Sequence, residues 1–377
     1  MAAFGSRHKT GTENMTTTRS KEFNRIRTSL TSATRASSAR AIVTEGDSLQ
    51  LLKALPSQSV SLILTDPPYH STKKQNIYGD THFSEDNHYL EWMAQYGIEW
   101  RRVLKSNGSL FCFCASEMSA RLEVQLSGDF NILSQVVWTK PNEPGFDGWK
   151  GKMCKEALRQ WYPHSERIIF AEPALEGNLH RSPFGVYLRD IRRQSGLTSN
   201  ELTEKIGAYG RVNHGGAVSN WETGRNIPSR EQYEKMCEAF LGTGNVSAMP
   251  PYEDVVRPFM VDASKEFTDV WNFPSVRPYK GKHPAEKPLS LLKHAIEATT
   301  FPGDVVLDCF AGSGNTGVAA VKLGRRAVTM EIEPQWVAQA ASRLELEVTK
   351  RMQATMPDRP SRGQDKEPQL SLSLGSK

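Results

Sequence analysis

The positions of hydrophobic and polar residues along the chain alternate between the spacing of strands and the spacing of helices. Apolar runs of strand length begin at Ala41 and Ser59, and they end at the acids Asp47 and Asp66. The segment between them, residues 48–55, has its apolar residues at helical spacing. Because strands that alternate with helices form parallel sheets covered by helices, this pattern predicts an α/β fold.

The next part of the chain continues this spacing. Apolar residues at helical spacing predict a helix over 89–104 that ends near Asn107 and Gly108. Strands are predicted at 109–115, 132–140 and 166–172, the last two antiparallel to each other. The polar stretch 70–87 is too long for an ordinary connection, so we interpret it as a mobile functional loop or a disordered segment.

A helical stretch then separates two strand-containing regions. Over 182–244 the strands stop, and short helices with glycine-containing turns predict a separate helical module. Strand character returns near Asp269. A helix at 289–300 then leads into a strand, a glycine-rich turn, a helix, a strand and a last helix, which is again the order of an α/β fold.

Composition narrows the class of protein. The chain has 377 residues, of which 38% are hydrophobic and 24% charged, and no apolar run approaches the roughly 18 residues of a membrane span. The first residues are polar and lack the apolar core of a secretory signal, so we expect a cytoplasmic protein without membrane contact. None of the five cysteines belongs to a C-x-x-C pair, so neither a zinc site nor a disulfide framework is expected.

Both ends of the chain have the composition of disordered segments. Residues 1–40 contain eight lysines and arginines against two glutamates, which predicts a basic tail able to contact phosphates. Residues 351–377 are rich in proline, serine, glutamine and glycine. We therefore expect the folded part of the protein to lie between these two tails.

A glycine-rich turn follows the predicted strand that ends at Asp308. Its sequence, GSGNTG at 312–317, matches G-x-G-x-x-G, and Glu331 lies 19 residues after Gly312. Such glycines allow close backbone approach to a ligand, and an acid at this distance accepts hydrogen bonds from ribose hydroxyls. Asp308 would repel a pyrophosphate and attract a cation. The turn therefore favours S-adenosylmethionine, with its sulfonium and ammonium groups, over a dinucleotide such as NAD.

The sequence TDPPY at 65–69 contains the residue types that a binding site for an exocyclic amine requires. Asp66 ends a buried strand, and the two prolines fix the backbone and leave carbonyls as unpaired acceptors. Asp66 and the carbonyl of Pro67 would accept both hydrogens of the amine, which turns its lone pair towards a methyl donor. Tyr69 offers a ring on which a flipped-out base can stack. A proline-rich turn without chemistry is the alternative.

These motifs, taken in order, resemble those of amino-group DNA methyltransferases of the permuted β class, in which the D-P-P-Y half precedes the cofactor-binding half. The resemblance covers most of the chain outside the tails and the helical stretch, through TDPPY, WRRVLKSNGSLFCF, VVWTKPN, HSERIIFAE, TDVWNFP, KHPAEKPLSLL, LDCFAGSGNTG and VTMEIEPQWVAQAASRL. It implies an S-adenosylmethionine-dependent methyltransferase fold of Rossmann-like α/β type, circularly permuted.

The resemblance also implies a role for individual residues. The catalytic loop would be Asp66, Pro67, Pro68 and Tyr69. Residues lining the methionine part of the cofactor would be Asp308, Phe310, Gly312, Gly314 and Thr316. Glu331 would bind the ribose and Asp47 would lie near the cofactor adenine, while the outer wall of the pocket would be built by His283, Lys287 and Pro288.

Four positions depart from the usual residues of this class. His70 stands where asparagine is common, Cys309 where proline is common, Asn315 where threonine is common and Glu286 where glutamine is common. These departures put the details of loop closure and cofactor affinity in doubt, and they leave the acid, the ring and the glycines in place. No cysteine lies in a Pro-Cys pair, which argues against methylation at cytosine C5.

The helical stretch 182–244 resembles the Cro/repressor type of helix-turn-helix, which would place its third helix in the major groove. Candidates for base edges are Asn213, His214 and Asn220, of which Asn220 can be bidentate to adenine. Candidates nearer the phosphates are Ser199, Asn200 and Arg225. A helical packing module with solvated polar faces is the alternative.

The sequence thus predicts a site-specific methyltransferase acting on adenine N6 in double-stranded DNA, because an aspartate begins the P-P-Y loop. The predicted regions are a basic tail at 1–40, a catalytic half at 41–181, the insert at 182–244, a cofactor-binding half at 245–350 and a tail at 351–377. Alternatives are an N4-cytosine methyltransferase and a DNA-binding regulator on an inactive methyltransferase fold. A cognate restriction endonuclease and a homodimer are further partners that the sequence leaves open.

Overall fold

The computed structural model of the protein describes residues 18–70, 83, 85–141, 159, 161, 164–174, 182–208, 216–261 and 267–355. Most of the predicted loop 70–87 lies outside these residues, as do Asn213, His214 and the chain after Thr355. No helix among the described residues is long and apolar enough to cross a membrane.

The elements follow the alternating order that the hydrophobic pattern predicts. A helix over 18–29, α1, is followed by β1 Thr34–Ser37, β2 Ala41–Glu45, α2 Ser48–Ala54, β3 Val60–Thr65, α3 Asp86–Val103, β4 Leu104–Cys114, α4 Ser119–Leu126, β5 Phe130–Thr139 and β6 Ser165–Pro173. Then come α5 Pro183–Ser195, α6 Ser199–Lys205, α7 Gly216–Glu222, α8 Arg230–Leu241, α9 Tyr252–Val255, β7 Val270–Asn272, α10 Leu289–Thr299, β8 Val305–Asp308, α11 Asn315–Lys322, β9 Arg326–Glu331 and α12 Pro334–Thr355.

The described strands form one mixed sheet in the order β1-β2-β9-β8-β3-β4-β6-β5-β7. The five strands from β2 to β4 in this order are parallel, and β6 pairs antiparallel with both β4 and β5. The predictions of a parallel α/β core and of an antiparallel pair at β5 and β6 are therefore confirmed. The carboxyl ends of the parallel strands meet at one edge, where ligands bind in open α/β sheets.

Helices cover both faces of the sheet, so the central strands are almost entirely buried. Every residue of β3 is buried, with Ile63 in the core on one face and Leu62 and Leu64 in the core on the other. Helices α1 to α4 pack on the first face, and α10 to α12 pack on the second. A strand buried on both faces has a continuous hydrophobic run, which is why its alternation is absent from the sequence.

The prediction that residues 1–40 form a disordered tail is wrong for the described part. Residues 18–29 form α1, which buries Phe23 and Ile26 in the core together with Leu30 directly after the helix, and residues 34–37 form the edge strand β1. Lys105 pairs with Glu22 of this helix at 2.6 Å. Three apolar residues at helical spacing therefore give this basic segment enough buried surface to fold onto the domain.

Two predicted boundaries also differ. The helix predicted at 89–104 begins three residues earlier and ends at Val103, and β4 begins at Leu104 and includes Asn107 and Gly108. The pairing register of β3 with β4 shifts at this point, from Val60 with Leu104 to Leu62 with Ser109. The Asn-Gly pair therefore lies in an irregular strand and does not end the helix.

Between β6 and β7, helices α5 to α9 surround a hydrophobic core of their own, which includes Phe184, Trp221, Phe240 and Val256. Ser182 caps α5, and capping boxes at Thr198 and Ser229 begin α6 and α8. This core extends twelve residues past the predicted boundary at Gly244. The bundle, residues 182–256, therefore includes α9 as well as the predicted helices.

The helical bundle is attached to the sheet by polar contacts. The side-chain amide of Asn107 on β4 donates to the carbonyls of Glu253 and Val256. Directly after the bundle, Arg257 pairs with the buried Glu172 of β6 at 2.9 Å. These contacts fix the bundle beside the start of β4 and the end of β6, at the sheet edge opposite the carboxyl ends of the parallel strands.

Candidate active site

A cavity of about 650 Å³ opens at the carboxyl ends of the parallel strands. Asp47, Asp66, Asp308 and Glu331 each lie at or just after the end of a strand, β2, β3, β8 and β9 respectively. Glu166 reaches the same cavity from the start of β6, because that strand runs in the opposite direction. Five carboxylates from distant parts of the sequence therefore line one cavity.

The structure brings together almost all of the residues predicted for catalysis and cofactor binding. The cavity is lined by Asp47, Asp66, Pro67, Pro68, Tyr69, His283, Lys287, Asp308, Phe310, Gly312, Thr316 and Glu331. Gly314 lies behind the lining, at the start of α11, with φ of +82°. A Cβ at this position would lie 2.8 Å from the Cβ of Ala340, so the turn requires glycine there.

The two oxygens of Asp66 have different surroundings. Lys287 Nζ lies 2.6 Å from Asp66 Oδ2. Asp66 Oδ1 is buried and has no hydrogen-bond partner among the described residues. Burial raises the pKa of Asp66 above its ordinary value, and the charge of Lys287 opposes that rise. One carboxylate oxygen is thus held and the other is left as an unpaired acceptor at the cavity.

Glu166 connects the catalytic loop to two lysines. Its Oε2 accepts a hydrogen bond from the hydroxyl of Tyr69 at 2.8 Å and lies 3.3 Å from Lys287 Nζ. Its Oε1 lies 2.7 Å from Lys140 Nζ. Burial alone would raise the pKa of Glu166, but Lys287 and Lys140 lower it to about 2. Asp66, Glu166 and the two lysines therefore form a compact, charge-balanced cluster.

Asp308 lies at the inner end of the glycine turn. Thr65 donates to Asp308 Oδ1 from its hydroxyl at 3.0 Å, and the amide of Phe310 donates to the same oxygen at 3.1 Å. Burial raises the pKa of Asp308 to about 6 in spite of these donors. No cation among the described residues pairs with Asp308, so in its ionised form the site favours a positively charged ligand.

Glu331 holds the outer part of the same turn. Its Oε2 accepts from the amide of Gly312 at 2.7 Å, and its Oε1 accepts from the amides of Ile332 and Glu333. Burial raises the pKa of Glu331. Oε1 uses both of its lone pairs for these amides, whereas Oε2 keeps one, so Glu331 can accept a further hydrogen bond from a ribose hydroxyl while it keeps the turn in place.

Aromatic side chains form one wall of the cavity. Phe310 packs against Tyr96 and Trp92, with ring centroids 5.1 and 5.7 Å apart. Asp47, on the same side, caps α2 by accepting from the amides of Leu49 and Gln50. This wall offers flat apolar faces beside a polar helix start, which suits a heteroaromatic ring.

The segment before α10 closes the cavity from the other side. A Cβ at Gly312 would lie 3.1 Å from the ring of His283, so the turn and this segment are in close contact. Burial and the nearby Lys287 lower the pKa of His283 to about 4, so its ring is neutral at physiological pH. Glu286 accepts hydrogen bonds from Ser313 and Asn315 at 2.9 Å each.

The four departures from the class pattern each have a partner in the structure. Asn315 and Glu286 bond to each other, so the two changes compensate. The indole nitrogen of Trp100 donates to the sulfur of Cys309 at 3.3 Å. His70 lies 3.1 Å from Asp86 and stacks on Tyr89, with ring centroids 5.7 Å apart. Each of the four side chains thus has a defined contact in the structure, while their effect on loop closure and cofactor affinity stays a prediction.

The residues predicted to bind DNA lie in the helical bundle. Ser199 and Asn200 are the first residues of α6, and Asn220 lies on α7 with its side chain partly exposed. Arg225 is exposed just after α7, and its amide donates to the carbonyl of Asn220. The other two candidates, Asn213 and His214, lie outside the described residues.

The end of α7 is anchored to α5 by an ion pair. The buried Glu222 pairs with Arg192 and Arg189 of α5, and its neighbour Trp221 is buried in the bundle core. Gly185 permits this packing, because a Cβ there would lie 2.6 Å from the carbonyl of Glu222. Helix α7 is therefore held rigidly, with Asn220 on its partly exposed side.

Among the cavity residues that sequence reasoning missed, four make contacts that matter for the site: Glu166, Lys140, Trp92 and Tyr96. Trp92 and Tyr96 are four residues apart on α3, which is also the spacing of core residues, so the sequence gives no sign that they reach a cavity. Glu166 and Lys140 belong to segments that resemble the class. Their position at the cavity depends on the antiparallel pairing of β5 and β6.

A sheet edge with a glycine turn, an acid at the end of the next strand and a D-P-P-Y loop is the arrangement of methyltransferases that act on amines. The profile of the N6/N4 DNA methylase family matches residues 60–342, and the chain belongs to this family. Its cofactor is S-adenosylmethionine and its substrate is DNA, as the sequence predicts. The family name covers adenine N6 and cytosine N4, so membership leaves the target base open.

Similar proteins include two bacterial methyltransferases. The chain is 27% identical to the DNA adenine methyltransferase YhdJ of Escherichia coli (strain K12) over 307 residues, 81% of this chain and 82% of that protein. It is also 27% identical to the type II methyltransferase M.Cfr9I of Citrobacter freundii over 315 residues, 81% of this chain and 88% of that protein. The solved structure of the cytosine-N4-specific PvuII DNA methyltransferase covers 84% of this chain and 92% of its own, at 18% identity and a TM-score of 0.48.

Proposed function

We propose that the protein methylates N6 of adenine at specific sites in double-stranded DNA, by direct transfer from S-adenosylmethionine to a flipped-out base. The observation that carries this proposal is the buried and unpaired Oδ1 of Asp66. A buried acceptor without a donor is costly, and at a cavity a ligand can supply the missing donor. An exocyclic amine, with two hydrogens, is such a ligand.

The reaction follows from these acceptors. Asp66 Oδ1 and the carbonyl of Pro67 accept the two hydrogens of the amine, which draws the nitrogen lone pair out of conjugation with the ring. A nitrogen–carbon bond then forms as the sulfur–carbon bond breaks, and its electron pair stays on sulfur. The methylated amine gives one proton to Asp66, whose raised pKa makes it a better proton acceptor than an ordinary aspartate.

The cofactor would occupy the other half of the cavity. Asp308 would face its positive charge, Phe310, Gly312 and Thr316 would line its methionine part, and Gly314 would support the turn. Glu331 would accept from the ribose hydroxyls, and Asp47 would lie near the adenine beside the aromatic wall. This placement would direct the methyl group towards Asp66, because β8 and β3 are neighbours in the sheet.

Adenine is the proposed target for two reasons. An aspartate begins the P-P-Y loop, and serine is commoner there in N4-cytosine enzymes of the class. The relative YhdJ is named as a DNA adenine methyltransferase. Cytosine N4 is the second candidate, because its amine also has two hydrogens and Asp66 Oδ1 would accept from either base.

We further propose that the chain is a permuted methyltransferase in which the helical bundle is a helix-turn-helix that recognises the target site. The capped α6, the anchored α7 and the exposed Arg225 support this role. Asn107, Glu172 and Arg257 attach the bundle at the sheet edge opposite the cavity, near the start of β4 and the end of β6, so DNA bound by the bundle would have to extend across to the cavity to present the target base to Asp66. Removing residues 182–256 should keep cofactor binding and abolish site selectivity. Unchanged selectivity would assign recognition to other loops.

Sequencing DNA from cells that express the chain tests the proposal. We expect N6-methyladenine within one short sequence motif, and none in cells that express the Asp66→Ala variant. N4-methylcytosine in the motif would favour the second candidate. DNA binding without any methylation would favour a regulator built on an inactive fold. A cognate restriction endonuclease and a homodimer stay predictions, of which the first fits the type II class of M.Cfr9I.

A further inference from the structure

Lys287 makes the contacts that determine how Asp66 is oriented. Its Nζ lies 2.6 Å from Asp66 Oδ2 and 3.3 Å from Glu166 Oε2. The same ammonium lies 5.1 Å from the ring centroid of Tyr69 and 5.2 Å from that of Phe113. The side chain of Lys287 is 8% exposed, so these contacts account for its surroundings.

The contacts are asymmetric with respect to the two oxygens of Asp66. Oδ2 bonds to Lys287, while Oδ1 is buried and has no partner among the described residues. A free carboxylate can rotate and exchange its oxygens, and a charged hydrogen bond to one of them removes that freedom. Lys287 thereby fixes which oxygen of Asp66 stays without a partner, and Asp66 lines the cavity where the amine would bind.

Glu166 holds Lys287 in its place. Without Glu166, the ammonium would have one anionic partner, and Glu166 itself is fixed by Lys140 at 2.7 Å and by the hydroxyl of Tyr69 at 2.8 Å. Asp66 and Tyr69 follow β3, Glu166 lies on β6 and Lys287 precedes α10. The orientation of the catalytic loop is therefore set by two other segments of the chain.

We propose that Lys287 is a positioning residue for methyl transfer, which holds Asp66 by Oδ2 so that Oδ1 meets the target amine, and that Glu166 holds Lys287 for this task. This inference rests on the proposed function. It differs from the role predicted from the sequence, in which Lys287 forms the outer wall of the cofactor pocket.

A lysine that positions Asp66 should also change the pKa of Asp66, which a lysine with a purely structural role would not do. The titratable groups that face Asp66 are Lys287, Glu166, Tyr69, Asp308, Cys112 and Cys114. Lys287 lowers the pKa of Asp66, and Glu166 raises it. Removing one or the other should therefore move the pKa of Asp66 in opposite directions.

The first experiment compares Lys287→Met with the full-length wild-type protein. Methyl transfer to DNA should fall by roughly 100-fold or more in kcat, since misplacing a reacting group by about 1 Å costs that much. The Kd for S-adenosylmethionine, measured by calorimetry, should stay within about threefold. Lys322→Met is the matched control, because it also removes a lysine and an ion pair, with Glu347 at 2.8 Å, on a helix end away from the cavity. It should behave as the wild type.

The second experiment measures kcat against pH for Lys287→Met and Glu166→Gln. Methyl transfer requires ionised Asp66, so activity is lost as the pH falls through the pKa of this group. The acid limb should move to higher pH in Lys287→Met, by roughly 1 to 3 units, and to lower pH in Glu166→Gln. The glutamine keeps an acceptor for Tyr69, so this variant tests the proposal even if Lys287→Met fails to fold.

Other results of these two experiments would contradict either the positioning role of Lys287 or the proposed function. A loss of cofactor affinity in Lys287→Met that parallels its loss of kcat would return Lys287 to the cofactor pocket. An unchanged kcat in Lys287→Met, or acid limbs that move in the same direction, would refute the positioning role. A wild-type protein without methyl transfer would refute the proposed function itself.

Discussion

Asp66 and Asp308 end neighbouring parallel strands and are joined through Thr65, whose hydroxyl donates to Asp308 at 3.0 Å. The same residue type has different surroundings in the two places. Asp66 is beside Lys287 and has an unpaired oxygen, whereas Asp308 accepts from Thr65 and Phe310 and has no cation beside it among the described residues. We assign the target amine to the first and the cationic cofactor to the second.

Exchange of Asp66 for alanine should separate catalysis from cofactor binding. The turnover number should fall by orders of magnitude, because the acceptor that activates the amine is lost. The affinity for S-adenosylmethionine should change little, since the cofactor contacts lie on the glycine turn. Turnover assays and calorimetry check this, with Asp308→Ala as the converse variant that weakens cofactor binding first. Equal losses of turnover and affinity in Asp66→Ala would contradict the assignment.

Cofactor affinity should depend on pH through Asp308. Burial raises its pKa to about 6, so the carboxyl is protonated below that pH and attracts the cationic cofactor less. Calorimetry from pH 5 to 8 should show that affinity falls as the pH drops through about 6 in the wild type. The Asp308→Asn variant should bind weakly at every pH. A wild-type affinity that is flat between pH 5 and 7 would exclude this role.

The same shift has a consequence for stability. Because the folded pKa of Asp308 is raised, the folded protein binds more protons than the unfolded chain, and stability is lost as the pH rises towards about 6. In the absence of cofactor, Asp308→Asn should therefore be more stable than the wild type at pH 8, by on the order of 2 kcal/mol. Chemical denaturation at pH 5 and pH 8 would measure the difference.

Tyr69 has a ring and a hydroxyl with separate tasks. The hydroxyl donates to Glu166 at 2.8 Å, and stacking of a flipped base needs only the ring. Tyr69→Phe should keep most of the activity, whereas Tyr69→Ala should lower kcat/KM by roughly 10- to 100-fold, from about 1 to 3 kcal/mol of stacking. Methyl-transfer assays with both variants test this. A phenylalanine variant as inactive as the alanine variant would show a chemical role for the hydroxyl.

At the scale of elements, the strand ends and the glycine turn could be predicted because their signals are local. Asp66 follows a run of buried apolar residues, and Gly312 belongs to a motif with fixed spacing. The contact of Lys287 with Asp66 joins residues 221 positions apart. No local pattern contains that information, since it depends on how the segment before α10 crosses the sheet edge.

For the first forty residues, the sequence led to a wrong prediction of disorder. Their charge is typical of a disordered tail, yet Phe23, Ile26 and Leu30 share a helix face and enter the main core. Composition averages over the segment and hides three residues with the spacing of a buried stripe. The helical bundle was likewise predicted too short, because Val246 and Val256 join its core from beyond the last long helix.

Substitutions in the helical bundle should distinguish its contacts with DNA bases from its contacts with DNA phosphates. Asn220→Ala should relax the preference at one base position by about 1 to 3 kcal/mol. Arg225→Ala should weaken binding to all sequences and lower the salt dependence by about one charge. Lys235→Ala is a control, because this residue pairs with Glu231 on α8. Binding measured on single-base variants of the target at several salt concentrations tests this. Equal effects of the asparagine change at every position would contradict base recognition by α7.

For the whole molecule, the active site is assembled from both halves of the chain. The catalytic loop follows β3, the glycine turn follows β8, and the segment that includes His283 and Lys287 contacts both. The helical bundle is attached to β4 and β6 at the opposite sheet edge. The residues proposed for cofactor binding and target activation thus share one edge of the sheet, and the bundle proposed for DNA recognition is attached at the other.

The most direct test of this account is mass spectrometry of nucleosides after the purified protein has acted on DNA with S-adenosylmethionine that has a deuterated methyl group. The account predicts deuterated N6-methyldeoxyadenosine from the wild type, and at most traces from Asp66→Ala at equal cofactor occupancy. Deuterated N4-methyldeoxycytidine would contradict the assignment of the target base. The absence of label in any nucleoside, with the cofactor bound, would contradict the proposed activity.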